Sequence, residues 1–123
     1  MVKKIILLIE DEADMVYALT IQLEAEHYKV LCAQDGQTGL DMARRDKPDL
    51  IILDLMLPRV DGYKICRMLK FDEKYKNIPI IILTARVQDE DKKLGIEVGA
   101  DAYITKPFNV QILLDKISAL LKK

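Results

Sequence analysis

Five short apolar runs recur along the chain, each followed by a longer stretch in which apolar residues return every three or four positions. Runs of this length suit buried strands, and the longer period marks one face of a helix. The alternation therefore predicts an α/β fold, a parallel sheet covered by helices on both sides. Residues 4–9 give the first strand, and residues 14–26 the first helix, with Val16, Leu19 and Leu23 on one stripe. Strand two spans 29–33, and a shorter helix over 36–45 uses Leu40 and Ala43. Lys47-Pro48 stops that helix, because proline pushes the residue before it out of helical geometry. Strand three covers 50–53. After it, Pro58 and the Asp61-Gly62 pair mark a loop that leads into a helix over about 63–71. Pro79 introduces strand four at 80–83, a helix at roughly 89–97 ends near a C-cap glycine, Gly99, and strand five covers 102–104. The last helix carries the broadest stripe, formed by Val110, Leu113, Leu114, Ile117, Leu120 and Leu121.

A length of 123 residues suits a single domain over 1–123 with one core. Nineteen basic side chains face twenty acidic ones, so net charge favours neither nucleic acid nor a membrane surface as a partner. The apolar runs are too short to span a bilayer. Glu10, Asp11 and Glu12 interrupt the first run too early for a signal peptide, and a cytoplasmic protein is expected. Cys32 and Cys66 have neither CxxC nor zinc-like spacing and read as reduced, partly buried core thiols.

Open α/β sheets bind ligands beyond the carboxyl ends of their strands, which directs attention to the residues there. Strand one ends in Glu10-Asp11-Glu12, strand three in Asp54 and strand four in Thr84, and strand five is followed by Thr105-Lys106-Pro107. If strands one and three are neighbours, Glu10, Asp11 and Asp54 share a cleft and repel one another unless a cation intervenes. Magnesium suits such a site, because it prefers carboxylate, carbonyl and water oxygens. Lys106 adds a second positive charge and Thr84 a short hydroxyl, enough to orient a phosphoryl group carried on one carboxylate. Aspartate is a competent nucleophile towards phosphorus. An acidic rim stands where a nucleotide-binding fold would place a glycine-rich turn, and no Walker A or dinucleotide fingerprint occurs. Each residue also has a plainer role open to it: the acidic trio suits a helix N-terminus, and Thr84 and Lys106 suit a strand and a surface.

Taken together, the acidic pair Glu10-Asp11, Asp54 in LDLMLPRVDG, Thr84-Ala85 in LTAR and Lys106-Pro107 in YITKPF make the chain resemble the receiver domains of two-component response regulators over nearly its whole length. The resemblance implies a flavodoxin-like sheet of five parallel strands in the order 2-1-3-4-5 with five helices. Asp54 would accept a phosphoryl group from a sensor histidine kinase or phosphotransfer protein. Asp11, Asp54 and the Met56 main-chain carbonyl would hold Mg2+, with Mn2+ as a substitute and Glu10 acting through water. Lys106 would pair with the phosphoryl oxygens, across a cis bond to Pro107. Thr84 and Tyr103 would form a coupled switch, biasing two pre-existing conformations. Partners would be the kinase and a second copy, through helix four, strand five and helix five.

Two departures stand out. Receivers often have two aspartates after strand one where this chain has Glu10, and often a glycine at the end of helix one where it has His27. Met56 and Arg86, two residues beyond Asp54 and Thr84, flank the path of the hydrolytic water in receivers, and their bulk predicts slow loss of the phosphoryl group. The alternatives are a flavodoxin-like cofactor binder and an aspartyl-phosphate phosphatase. The first lacks a phosphate loop and tryptophan, and the second would need a DxD pair after strand one, where the residues are Glu10-Asp11-Glu12.

Overall fold

A computed structural model describes residues 3–55, 61–85 and 99–122. Five parallel strands, β1 (Ile5–Ile9), β2 (Lys29–Ala33), β3 (Leu50–Asp54), β4 (Ile80–Thr84) and β5 (Ala102–Thr105), form one sheet in the order β2-β1-β3-β4-β5. The described helices are α1 (Ala13–Ala25), α2 (Gly36–Asp46), α3 (Gly62–Lys70) and α4 (Val110–Leu121). α4 is the fifth helix expected from sequence. The helix expected over 89–97 lies outside the described residues, as do Met56 and Arg86.

Alternation of side chains along each strand divides the core into two layers. Leu7 and Ile9, Ile51 and Leu53, and Ile80 and Ile82 face one side, where Leu40 and Ala43 of α2 and Tyr63, Ile65, Cys66 and Leu69 of α3 cover them. Ile6 and Leu8, Leu50 and Ile52, and Ile81 and Leu83 face the other, against Leu19 and Leu23 of α1 and Leu113 and Ile117 of α4. Burial on both faces is why the central strands are apolar at successive positions instead of alternating. Cys66 sits in this core, but Cys32 is exposed. β2 is an edge strand, and the Cys32 sulfur lies 3.7 Å from the Thr20 hydroxyl.

β3, β4 and β5 each run one residue past the boundary set by the last apolar position. Leu53 still pairs with β1, while Asp54 is in register with Leu83, and Thr84 with Thr105. The ladder depends on backbone groups and continues through a polar residue, whereas a hydrophobicity pattern ends there. At the opposite end of the sheet, two aspartates repeat one device. Asp49 donates its N–H to the Ile5 carbonyl and accepts the Ile5 N–H on its carboxylate at 2.7 Å, which fixes where β3 enters beside β1. Asp101 does the same to Ile80 at 2.8 Å, placing β5 beside β4, and also binds the Lys70 ammonium at 2.9 Å.

Helix ends follow local chemistry. Asp35, Asp61 and Asn109 cap α2, α3 and α4 with side-chain oxygens that accept backbone N–H groups. Lys47 closes α2 with φ 45°, ahead of Pro48 as expected, and His27 adopts φ 69° in the turn after α1, a conformation glycine would take without strain. Gly99 also has a left-handed φ, 86°, although the helix it was expected to cap lies outside the described residues.

Candidate functional site

Strand order reverses between β1 and β3: the chain leaves β1 for β2 on one side and returns to β3 on the other. Such a switch point opens a crevice at the carboxyl ends of the strands. Glu10, Asp54 and Thr84 are the buried polar residues among those described, and all three lie at these ends. Burying polar side chains is costly without partners, so their concentration here marks the place where the fold gives up packing for chemistry.

Each residue is held by the sheet. The Glu10 N–H donates to the Ala33 carbonyl, extending the β1–β2 ladder past the last strand residue. Asp54 ends β3, and the next residue, Leu55, donates to the Leu83 carbonyl of β4. The Lys106 N–H donates to the Thr84 carbonyl at 2.6 Å, tying the loop after β5 to the end of β4. The bond between Lys106 and Pro107 is cis, as expected. Gly62, first residue of α3, allows that helix to press on the end of β3: a Cβ there would stand 3.0 Å from the Leu55 Cα and 3.3 Å from the Asp54 carbonyl oxygen. Sequence reading marked Asp61-Gly62 only as a turn, and its signal for this close approach was the glycine itself.

The side chains converge. Oxygen atoms of Glu10, Asp11 and Asp54 lie within 4.8 Å of one another, with Glu10 and Asp54 buried and Asp11 at the exposed rim. The Lys106 ammonium lies 3.2 Å from Glu10 Oε2 and 3.5 Å from Asp54 Oδ2. Glu10 Oε1 accepts the Glu12 N–H at 3.2 Å. Glu12 is the N-cap of α1, so one of the three acidic residues does serve the helix terminus, through Glu10's carboxylate rather than its own.

Three carboxylates beside one ammonium leave excess negative charge in a confined space. Burial, reinforced by the neighbouring Asp54, pushes the Glu10 carboxyl up to about 7, against the opposing pull of Lys106 and the Glu12 N–H. At Lys106, burial pulls the pKa down, but Asp54 and Glu10 outweigh it and hold the ammonium above its ordinary value. Clustered hard oxygen donors with uncompensated charge fit a small divalent cation, and the site retains an open side at Asp11. Thr84 is fully buried at the end of β4, and Tyr103 is partly buried against the core layer shared with α2 and α3. The sequence-predicted residues Glu10, Asp11, Asp54, Thr84 and Lys106 therefore meet at one end of the sheet, with Tyr103 on the neighbouring strand.

Residues 6–118 match the response regulator receiver domain. The chain is 45% identical over 118 residues to the DNA-binding dual master transcriptional regulator RpaA of Synechocystis, covering 96% of this chain and 49% of that protein. It is 42% identical over 120 residues to the alkaline phosphatase synthesis transcriptional regulatory protein PhoP of Bacillus subtilis, with 98% and 49% covered. The chain thus spans about half the length of the curated relatives it matches. Among solved structures, a putative response regulator from Chloroflexus aurantiacus superposes with a TM-score of 0.93 at 30% identity, covering 99% of this chain and all of that one. Chemotaxis protein CheY4 of Vibrio cholerae superposes with a TM-score of 0.90 at 29% identity, covering 98% and 100%. No helix among the described residues is long and apolar enough to cross a membrane. With this fold, this acidic crevice and these relatives, the chain belongs to the receiver domains of two-component response regulators.

Proposed function

We propose that Asp54 is the phosphoacceptor of a single receiver domain formed by residues 1–123. One carboxylate oxygen of Asp54 attacks the phosphorus of a phosphohistidine on a sensor histidine kinase or phosphotransfer protein. The P–N bond breaks, the imidazole takes the electron pair and a proton, and an acyl phosphate remains on Asp54. The observation that supports this most directly is a buried Asp54 carboxylate facing both a cationic side chain, Lys106, and a carboxylate cluster suited to a divalent cation.

Asp11 and Asp54 would hold Mg2+ or Mn2+ directly, Glu10 would contribute through water, and the Met56 main-chain carbonyl, outside the described residues, would complete the set. When bound, the cation offsets charge on the phosphoryl oxygens. Lys106 pairs with those oxygens, and the Thr84 hydroxyl donates to one of them. Movement of Thr84 towards the phosphoryl group leaves room behind it for the Tyr103 ring, coupling phosphorylation to the surface around β5. Met56 and Arg86 set the lifetime of the acyl phosphate by screening it from water, so the domain assists its own dephosphorylation slowly. A second copy docks through the segment over 89–97, β5 and α4, where Ile112 is exposed. The domain works in the cytoplasm and makes no direct contact with nucleic acid or membrane; an output module carries the response.

Incubation with acetyl phosphate and Mg2+, followed by intact-mass analysis, tests the reading. One phosphoryl mass is expected in the wild type and none in Asp54→Ala. Addition that persists in Asp54→Ala moves the acceptor elsewhere.

A further inference from the structure

A cleft of about 430 Å³ opens between α2 and α3, on the side of the sheet away from α1 and α4. Gln37 and Leu40 form its α2 wall, and Lys64, Ile65 and Met68 its α3 wall, so an apolar floor sits inside a polar rim. Apolar surface continues past the cleft along α3: Met68 is 39% exposed, and Phe71, three residues on, is 69% exposed. Lys64, Met68 and Phe71 fall at helical spacing on one outward stripe, two turns or about 10 Å long. Isolated exposed apolar residues are ordinary, but a run that extends a cleft has the form of a binding surface. The surrounding charge is one-sided. Lys64 and Arg67 on α3, and Arg44, which continues the Gln37–Leu40 stripe of α2, are exposed and form no ion pair among the described residues. The Arg67 guanidinium lies 5.9 Å above the Phe71 ring, which keeps cation and aromatic together at the surface. The two nearby carboxylates already hold neutral donors: Asp61 accepts the Tyr63 N–H as the α3 cap, and Asp41 accepts from the Gln37 amide at 3.0 Å.

We propose that the α2–α3 cleft and the outer face of α3 form a docking site for an acidic amphipathic helix of a partner protein. The apolar stripe of that helix sets one side chain in the cleft, over Leu40, Ile65 and Met68, and another against Phe71, while acidic residues beside the stripe meet Arg44, Lys64 and Arg67. Two turns of groove read anchors at helical spacing, whereas an extended peptide needs an open sheet edge, and both edges of this sheet, β2 and β5, lie elsewhere. A nucleic acid or a lipid headgroup would use the same cations but leave the apolar floor uncovered. Met68 suits such a site because its flexible thioether adapts to the side chain it meets. None of Glu10, Asp11, Asp54, Thr84 and Lys106 lines the cleft, so the proposal stands whether or not Asp54 accepts a phosphoryl group.

Titration of the intact, isotope-labelled chain with a synthetic helix tests the proposal. The probe is an alanine-rich peptide of about 15 residues, with leucines at i, i+4 and i+7 and glutamates on both sides of that stripe. Amide NMR shifts should move saturably at Gln37, Leu40, Lys64 and Met68 and stay still along α1, and fluorescence anisotropy of the labelled peptide gives the affinities. Lys64→Glu should weaken binding about fivefold, and a second peptide with lysines in place of the glutamates should bind Lys64→Glu better than it binds the wild type. Met68→Ser and Phe71→Ser should each weaken binding of the glutamate peptide about three- to tenfold. Tyr17→Ser, which removes a comparably exposed aromatic on α1, should leave it within about twofold. All four substitutions replace exposed side chains, so the fold is kept. The proposal is overturned if the glutamate peptide does not bind, if Tyr17→Ser weakens it as much as Phe71→Ser does, or if the lysine peptide binds the wild type equally well. It is also overturned if oligothymidylate or phosphatidylglycerol vesicles shift the same amides while the glutamate peptide does not, because the cations then serve a phosphate backbone or a headgroup.

Discussion

The raised pKa of Glu10 predicts a specific loss of stability with rising pH in the cation-free protein. In the unfolded chain this carboxyl titrates near 4.5, and in the folded crevice near 7, chiefly because burial disfavours its charge. Between those values the folded state holds a proton that the unfolded state has lost. The unfolding free energy therefore falls by about 1.4 kcal/mol per pH unit, one proton's worth. The contribution is complete below about pH 4.5 and gone above about pH 7. Integrated over that interval, the ceiling is about 3 kcal/mol, and water entering the crevice brings the expected value to roughly 1–3 kcal/mol. Urea unfolding in chelator at several pH values between 4.5 and 8, for wild type and Glu10→Gln, isolates the effect. Carboxylates remote from the crevice behave alike in both proteins and cancel in the difference. Glutamine also removes a charged partner from Lys106, but the lysine stays protonated throughout, so that cost is a constant offset. Stability of the wild type relative to Glu10→Gln should decline as pH rises, and Mg2+ should flatten the decline by favouring the ionised carboxylate. A difference that stays constant across the range would refute the assignment of an unfavourable buried charge to Glu10.

Further substitutions and a thiol reagent probe how the fold supports the crevice. Gly62→Ala should destabilise by about 1–2 kcal/mol despite alanine's better helix propensity, since its Cβ meets the Leu55 backbone at 3.0 Å, and acetyl phosphate should label Asp54 more slowly; a more stable, equally reactive variant would show that α3 simply moves aside. Asp49→Ala and Asp101→Ala each leave a strand-entry N–H without its carboxylate, costing about 1–3 kcal/mol in denaturant melts, with up to about 1 kcal/mol more at Asp101 for the lost Lys70 pair. Two variants as stable as the wild type would show that water replaces both carboxylates. Burial pushes the Cys66 thiol up to about 12, while Cys32 is exposed, so iodoacetamide at pH 8 should add one group per folded chain, lost in Cys32→Ser, with the second appearing only in urea. Two rapid additions to the folded protein would contradict the buried placement of Cys66.

What the sequence made legible was decided by the range of each interaction. Strand and helix positions follow from local periodicity, and the two-layer core then follows from strict alternation along β1, β3 and β4, so these elements fell within a residue or two of their expected bounds. The site residues were legible because a parallel sheet brings strand ends together whatever the intervening loops contain. Cys32 was misplaced because periodicity cannot tell an edge strand from a central one, and that distinction depends on strand order. The aspartates that start β3 and β5 were missed altogether: Asp49 looks like a loop residue after a proline, and its purpose exists only once Ile5, 44 positions earlier, lies beside it.

The same limit explains Glu10. As sequence, it is a conservative replacement for aspartate in a metal site, and nothing nearby in the chain distinguishes the two. Once the end of β1 and the loop after β5 converge on Asp54, its carboxylate spans the crevice, with Oε2 3.2 Å from Lys106 while Oε1 accepts the Glu12 N–H at the start of α1. One side chain then links the helix after β1, the Asp54 carboxylate at the end of β3 and the lysine after β5. Any change in the crevice's charge that moves Glu10 must therefore be felt at the start of α1 as well as at Lys106. The Glu12 amide should report this directly: its NMR shift should move on Mg2+ addition in the wild type and far less in Glu10→Gln, and equal movement in both would place α1 outside the coupling.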